Sequence, residues 1–341
     1  MNIYRSLSEI PPTLGPTVAT IGNFDGVHRG HQGVLAEVVA RARQLHSPSL
    51  AVTFEPHPAR VLRPKTPFPL ITPLAEKLTL LETTGIENII ILPFDEQFSK
   101  LTAHDFAKEI LRDALHIQEL HEGENFRFGY QAEAGVHSLE ALGKELGFTV
   151  HIYSPRHLRG GPISSSRIRQ SIAAGNVSQA RALLGHPFSI VSHPASGRGY
   201  GARYTVPTIN LAPYTELLPA NGVYVTILAV GTGAKAEMFD AVTNVGNRPT
   251  FGEDSFTVES HLLNFHPIDL NPTTPLKLSF LKRIRPEIRW PNPEALREQI
   301  GRDVRYANRY FNLCQAVGSK LRDGHPRQAS QSRLKEPERS R

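Results

Sequence analysis

Residues 22–31 read GNFDGVHRGH and follow directly on an apolar run, VATI at 18–21. Two glycines loosen a turn, and His28 and His31 stand three apart where a helical pattern begins. Backbone N–H groups at a helix N-terminus attract anions, phosphate above all. The two imidazoles would add donors to phosphate oxygens without a fixed charge. A zinc site is the weaker reading of H-x-x-H, because zinc-binding helices use other spacing and need a third ligand. A second anion-binding pattern lies at 163–169, ISSSRIR. There Ser164, Ser165 and Ser166 offer hydroxyls and amides at a helix start, as a cap would, and Arg169 can add a charge-assisted contact. A third cluster has different chemistry. In VESHLLNF (258–265), Glu259 sits in an alternating run with Val258, Ser260 and Leu262 on the opposite face. On residues alone, a solvent-face charge is the simpler reading of Glu259. PTIN (207–210) brings Thr208 and Asn210, oxygen donors suited to Mg²⁺ with ATP. It follows SGRGYG (196–201), whose Gly197, Gly199 and Gly201 would let backbone amides approach phosphates.

The elements that must position these residues change type along the chain. Strand patterns at 18–21, 50–54, 88–92, 117–120 and 148–153 alternate with helical ones. In the first helix Leu35, Val38, Val39, Ala42 and Leu45 share a face, and another pattern spans 74–83. Thr102 and Asp105 would cap a helix carrying Phe106, Ile110, Leu111 and Leu115. Alternating β and α elements predict a parallel sheet covered by helices. Short helical patterns follow at 165–174 and 177–184. From His186 the chain turns to short β-rich runs separated by Gly, Pro and Asn, which predicts an antiparallel barrel or sandwich. A final helical pattern from Pro293 carries Leu296, Ile300, Val304, Ala307 and Phe311. The expected division is 1–185, 186–315 and a basic tail at 316–341.

The 341 residues are enough for two domains. With 40% hydrophobic and 21% charged residues, the composition excludes disordered, collagenous and coiled-coil classes. No run of about 18 apolar residues predicts a membrane helix, and the first residues do not resemble a secretory signal. Cys314 is the only thiol, so no intrachain disulfide forms and a cytoplasmic location is expected. Of the net charge of +6, the segment from Lys320 to Arg341 holds seven basic and three acidic residues, leaving +2 for 1–319. The body is therefore close to neutral, and no specific nucleic-acid or membrane partner is expected. The tail reads as solvated and disordered.

GNFDGVHRGH resembles the H-x-G-H signature of the nucleotidyltransferase superfamily. With F-D-G before the histidines, it is similar to the bacterial bifunctional riboflavin kinase/FMN adenylyltransferase family, the prokaryotic FAD synthetases. TFEPHP (53–58), ENFRFG (124–129), ISSSRIR, LLGHPF (183–188), PTIN, NGVY (221–224), NVGNRPTFG (244–252), VESHLLNF and R-x-E-x-x-W (285–290) carry the resemblance onward in order. It covers about residues 15–312 and omits the tail. It implies a Rossmann-like nucleotidyltransferase domain, then an antiparallel β-barrel riboflavin kinase domain with a C-terminal helix. ATP, Mg²⁺, riboflavin, FMN and FAD would be cofactors, substrates and products; the oligomeric state stays open.

On that resemblance, His28 and His31 are catalytic in adenylyl transfer. Gly22, Phe24, Asp25, Gly30, Asn125, Ser164, Ser165, Ser166 and Arg169 bind its ATP. Glu259 becomes the base of the kinase, with Gly197, Gly199, Gly201, Thr208 and Asn210 holding ATP and Thr208 and Asn210 the metal. Phe128, His57, Arg285, Glu287 and Trp290 are the flavin residues, and Asn247 and Arg248 either line the nucleotide or flavin pocket or support their loop. The chain departs from the family pattern in places. Asn125 stands where many members have Asp, and Tyr204, Thr205 and Val206 replace Leu-Gly-Phe. Pro162 stands where a basic residue is usual, with Arg159 as the expected substitute. Two other readings remain at this level: a nucleotidyltransferase for another phosphorylated acceptor, such as nicotinate mononucleotide or phosphopantetheine, and a non-enzymatic flavin-binding regulator.

Overall fold

The computed structural model describes residues 1–195, 208–247, 256–268 and 270–317. Two compact units divide the chain. The first comprises Met1–Ile190, Tyr214–Asn221 and Phe280–Arg283; the second comprises Val191–Pro213, Gly222–Ser279 and Ile284–Arg341.

The first unit runs β1 (Asn2–Tyr4), β2 (Thr17–Ile21), α1 (Arg29–Leu45), β3 (Ser49–Glu55), α2 (Pro58–Leu62), α3 (Leu74–Glu82) and β4 (Asn88–Pro93). It continues with α4 (Ala103–Asp105), β5 (Ile117–Gly123), β6 (Arg127–Phe128), β7 (Ala134–Gly135), α5 (Val136–Leu146), β8 (Thr149–Tyr153), α6 (Ser165–Ala173) and α7 (Val177–Leu184). Six of these strands form a parallel sheet in the order β1-β4-β3-β2-β5-β8. Every residue of β2 is buried, as are five of the six in β4. Such unbroken runs arise where helices cover both faces of a sheet. Leu35, Val38, Val39 and Ala42 of α1 fill one face beside Ala51 and Ile89. The short edge strand β1 escaped the sequence reading because three residues carry too little pattern. Thr102 caps α4 as expected, its Oγ1 accepting from the Asp105 amide at 3.1 Å. The residues that follow, Phe106–Ala114, wind as a π-helix rather than an α-helix and still bury Phe106, Ile110 and Leu111.

The second sheet follows from β9 (Phe188–Ser192), β10 (Thr208–Leu211), β11 (Gly222–Val230), β12 (Glu237–Asn247), β13 (Phe256–Leu262) and β14 (Leu276–Pro286), closed by α8 (Pro293–Ala316). Its order is β10-β13-β12-β11-β14-β9, a curled antiparallel half-barrel. Asn292 caps α8 by accepting from the Ala295 amide at 2.8 Å, and Pro293 opens it. Val258, Ser260 and Leu262 of β13 are buried, as the alternation requires. Three hydroxyls cross that buried face: Thr226 meets Thr243 at 2.6 Å and Thr243 meets Ser260 at 2.9 Å. All three side chains are fully buried.

Candidate active sites

The chain leaves β2 through α1 to β3 on one side, while β5 lies against the other side of β2. In open α/β sheets this reversal opens a crevice at the C-terminal ends of the strands, where ligands bind. GNFDGVHRGH leaves β2 there and ENFRFG leaves β5, so the topology brings both motifs to one place. Glu122, buried in β5, braces the split by accepting from the Ile21 amide at 2.5 Å. Burial pushes its carboxyl well above the usual range.

His28 is the N-cap of α1. Its Nδ1 accepts from the His31 amide at 3.2 Å, which leaves Nε2 as the donor. The two rings stack with centroids 3.6 Å apart, and Phe24 meets His31 edge-on at 5.2 Å. A Cβ on Gly30 would lie 3.0 Å from the His28 ring, so only glycine leaves that ring its place. The turn is strained, with Phe24 at φ 48° and the β-branched Val27 at φ 36°. Such backbone costs roughly 1–3 kcal/mol per residue and persists where its surroundings over-determine it. Burial lowers the His28 pKa to about 4 and carries His31 well below its ordinary value. Both are therefore neutral donors at pH 7. His31 Nδ1 is buried with no hydrogen-bond partner among the described residues.

Asp25 and Arg169, read from the sequence as ATP contacts, form an ion pair with each other. Asp25 is 2% exposed and accepts from the Ile71 and Thr72 amides at 3.2 and 3.0 Å and from Arg169 Nη2 at 2.6 Å. Arg169 also donates to the Pro69 carbonyl and lies 4.3 Å over the Phe68 ring. Removing one member of a buried pair strands the other's charge. Arg169→Ala should accordingly cost about 3–5 kcal/mol of stability in urea denaturation; an unchanged midpoint would contradict this assignment.

Ser164 caps α6 through the Arg167 amide, and Ser165 Oγ donates to the Asp25 carbonyl at 2.8 Å, pinning the start of α6 to the motif loop. Ser166 is exposed. Arg167, which the sequence reading passed over, orders the loop before α6 by donating to the carbonyls of Leu158, Arg159, Gly161 and Pro162. Arg159 is exposed, with Nη1 3.4 Å from the Ser178 carbonyl. Lys77 was also missed. It is 2% exposed on α3, its Nζ lies 3.4 Å from Thr53 Oγ1, and burial lowers its pKa. The only signal in the sequence was a charge on an apolar helix face.

Gly22, Asn125 and Phe128 line a cavity of about 600 Å³ together with Phe54, Phe94, Phe98, Phe106 and Phe126. Phe126 and Phe128 stack at 5.5 Å. Phe128 is largely core, at 8% exposure, and Phe126 is the less buried of the two. His57, expected at the flavin, makes two local contacts. Its Nδ1 accepts from the Ala59 amide at 3.1 Å, and its ring lies on Phe68 at 4.6 Å. Burial lowers its pKa to about 4. His28 and His57 thus refuse protons that the unfolded chain accepts near pH 6.5. Their contribution is complete above that pH and is lost as pH falls toward 4. The urea midpoint should drop between pH 7 and pH 5, and less so in His57→Gln; equal slopes would refute the assignment.

In the second unit, register sets the site. Asn210 and Asn244 both stand opposite Glu259 on neighbouring strands, and Thr208 stands opposite His261. Directly paired residues share a sheet face. Thr208, Asn244, Glu259 and His261 line a cavity of about 410 Å³, closed by Arg285, Glu287 and Trp290 and by Leu296 and Ile300 of α8. Asn210, on the outermost strand β10, is exposed. Arg285 is held by the buried Asp303, with Nη2 2.9 Å from Oδ2, and sits 5.5 Å from the Trp290 ring centroid. Asn244, His261 and Asp303 were not singled out from sequence. His261 was legible two positions after Glu259, whereas Asp303 needed α8 to be placed. Gly197, Gly199, Gly201, Thr205 and Arg248, and the side chain of Asn247, lie outside the described residues.

Comparison with known proteins assigns both halves. A family model described as FAD synthetase matches residues 10–167, and one described as riboflavin kinase matches 184–311. A bifunctional riboflavin kinase/FMN adenylyltransferase of Pseudomonas fluorescens is 35% identical over 89% of this chain and 96% of that protein. One from Escherichia coli K12 is 34% identical over 87% and 93%. A crystal structure described as a macrolide-efflux protein from Streptococcus pneumoniae superposes with a TM-score of 0.79 at 28% identity, over 90% of this chain and 98% of that one. Among the described residues, no helix is long and apolar enough to cross a membrane. The riboflavin kinase match decides against the reading as a nucleotidyltransferase for another phosphorylated acceptor. The chain belongs to the bifunctional riboflavin kinase/FMN adenylyltransferase family.

Proposed function

We infer that this chain makes FAD in two ATP-dependent steps: phosphorylation of riboflavin to FMN, then adenylylation of FMN with release of pyrophosphate. We assign the second step to residues 1–185 and the first to 186–315. The observation that carries the reading is the carboxylate face of the second cavity. Riboflavin offers a neutral hydroxyl, and a phosphoryl acceptor of that kind is helped by a base. Glu259 takes the proton as the hydroxyl oxygen bonds to the γ-phosphorus and ADP leaves. Thr208 and Asn210 share its sheet face, and their oxygens suit a hard cation. They would hold Mg²⁺, which neutralises phosphate charge when bound. Trp290, positioned by Arg285, supplies a flat apolar wall for the isoalloxazine ring.

Adenylyl transfer needs no base, since the FMN phosphate is already an anion. The site must align two polyanions and stabilise charge on the α-phosphate and the departing pyrophosphate. The amides at the start of α1 and the neutral N–H of His28 suit that task. The phenylalanine-lined cavity suits the flavin. The single thiol Cys314 is in keeping with a cytoplasmic location.

Incubating the protein with riboflavin, ATP and Mg²⁺ and separating the flavins tests the reading. FMN followed by FAD is expected. FMN alone would place a defect in the first unit, where Pro162 departs from the family pattern. FAD formed from added FMN but not from riboflavin would point to the segment around Thr205. No product from either flavin would overturn the reading.

A further inference from the structure

Away from both cavities, β5, β8 and α1 bring together a group that neither reaction uses. Glu119 and His121 lie two apart on β5, hence on one face, and His151 stands opposite His121 on the edge strand β8. One ligand atom from each of the three lies within 4.8 Å of the others. The Nε2 atoms of His121 and His151 stand 3.6 and 3.3 Å from the same oxygen, Glu119 Oε2. Both nitrogens are buried and have no hydrogen-bond partner among the described residues. His121 itself is 2% exposed.

These separations are too long for charge-assisted hydrogen bonds, which close to about 2.7–2.9 Å. They match the spacing of atoms that share an ion. Tetrahedral ligands about 2.0–2.1 Å from zinc stand roughly 3.3 Å from one another. The surroundings fit as well. His121 Nδ1 lies 2.8 Å from Tyr153 Oη, so the ring can donate there and leave the Nε2 lone pair for a metal. Arg41 of α1 grips both carboxylate oxygens, Nη2 to Oε1 and Nε to Oε2, each at 2.8 Å. Its side chain is 39% exposed, so it can swing away and release Oε2 to an ion, for which it competes. Arg41 is thirteen residues from His28 along α1, about 20 Å at 1.5 Å per residue.

We propose that Glu119, His121 and His151 form a structural site for a divalent transition metal of the zinc class, with water in the fourth position, tying the edge strand β8 to β5 beneath α1. The donor set of two imidazoles and one carboxylate favours such an ion over Mg²⁺.

The test uses tag-free, full-length protein stripped with a chelator. Titration with Co²⁺ should give a visible absorption band saturating at one ion per chain, displaced by one equivalent of Zn²⁺, with Mg²⁺ in excess having no effect. His121→Gln and His151→Gln should each weaken Co²⁺ binding at least tenfold, while His28→Ala keeps it. Arg41→Ala should tighten binding several-fold, because it removes the competitor for Oε2 and leaves every ligand. That variant keeps the test decisive if a histidine replacement fails to fold. No saturable band in the unaltered protein would overturn the proposal. So would binding that survives His151→Gln but is lost in His28→Ala, or an Arg41→Ala variant that binds no better.

Discussion

Glu259→Gln should lower riboflavin phosphorylation by roughly 10²–10⁴-fold, the usual worth of a general base, while FMN adenylylation stays at its full rate. Glutamine keeps the size and one oxygen of the side chain but cannot take the hydroxyl proton. Because β13 alternates, the change touches only the cavity face and leaves Val258, Ser260 and Leu262 in the core. The loss should fall on kcat with KM for riboflavin little changed, since the flavin walls, Trp290 and the α8 residues, are untouched. Chromatography of product flavins gives both activities from one sample, so the second serves as the internal control for folding. An equal fall in both rates would mean that the substitution disturbs the chain as a whole. A kinase rate within threefold of the original would remove Glu259 from the proton transfer.

The second large effect is expected at His28. His28→Ala should reduce FMN adenylylation by roughly 10²–10³-fold, the loss seen when one preorganised donor to a developing anion is removed, and spare FMN formation. Two functions vanish together: the cap on the His31 amide and the Nε2 donor. His28→Asn separates them. Asparagine is a good N-cap and can restore the amide partner, but its side chain is too short to reach the position of Nε2. If asparagine restores stability without rate, the donor matters to the chemistry; if it restores both, the cap was all that mattered. Steady-state adenylylation with added FMN, alongside thermal melting, decides between them.

What could be read from sequence divides along a physical line. The buried runs at β2, β3 and β4 announced themselves because a strand covered on both faces has no polar alternation to hide it. Glu259 and its buried neighbours were legible for the opposite reason, a clean period of two. The strand order was not legible, and with it the fact that the loops after β2 and β5 meet, because pairing between distant segments leaves no trace in either one. The same limit explains Asp25 and Arg169. Both sit in motifs that read as phosphate-binding, and only the fold reveals that they neutralise each other. His57 likewise carries the look of a ligand residue yet spends its nitrogen on the cap of α2. Lys77 and Asp303 act through partners far along the chain, and Arg167 through backbone carbonyls that carry no side-chain signal, so their types alone said little.

The three hydroxyls of Thr226, Thr243 and Ser260 have a consequence for the face they never touch. In a strand, a slip of one residue exchanges the two faces entirely. Were β13 to shift by one against β12, Ser260 would leave its oxygen partners and Glu259 would enter the core with a charge and no cation to meet it. Each hydroxyl is a small side chain among apolar ones, matched in size and bonding to the next. The row works as a key cut on the back of the sheet, indexing strand against strand, so that the carboxylate's address is set by oxygens on the other side of the backbone.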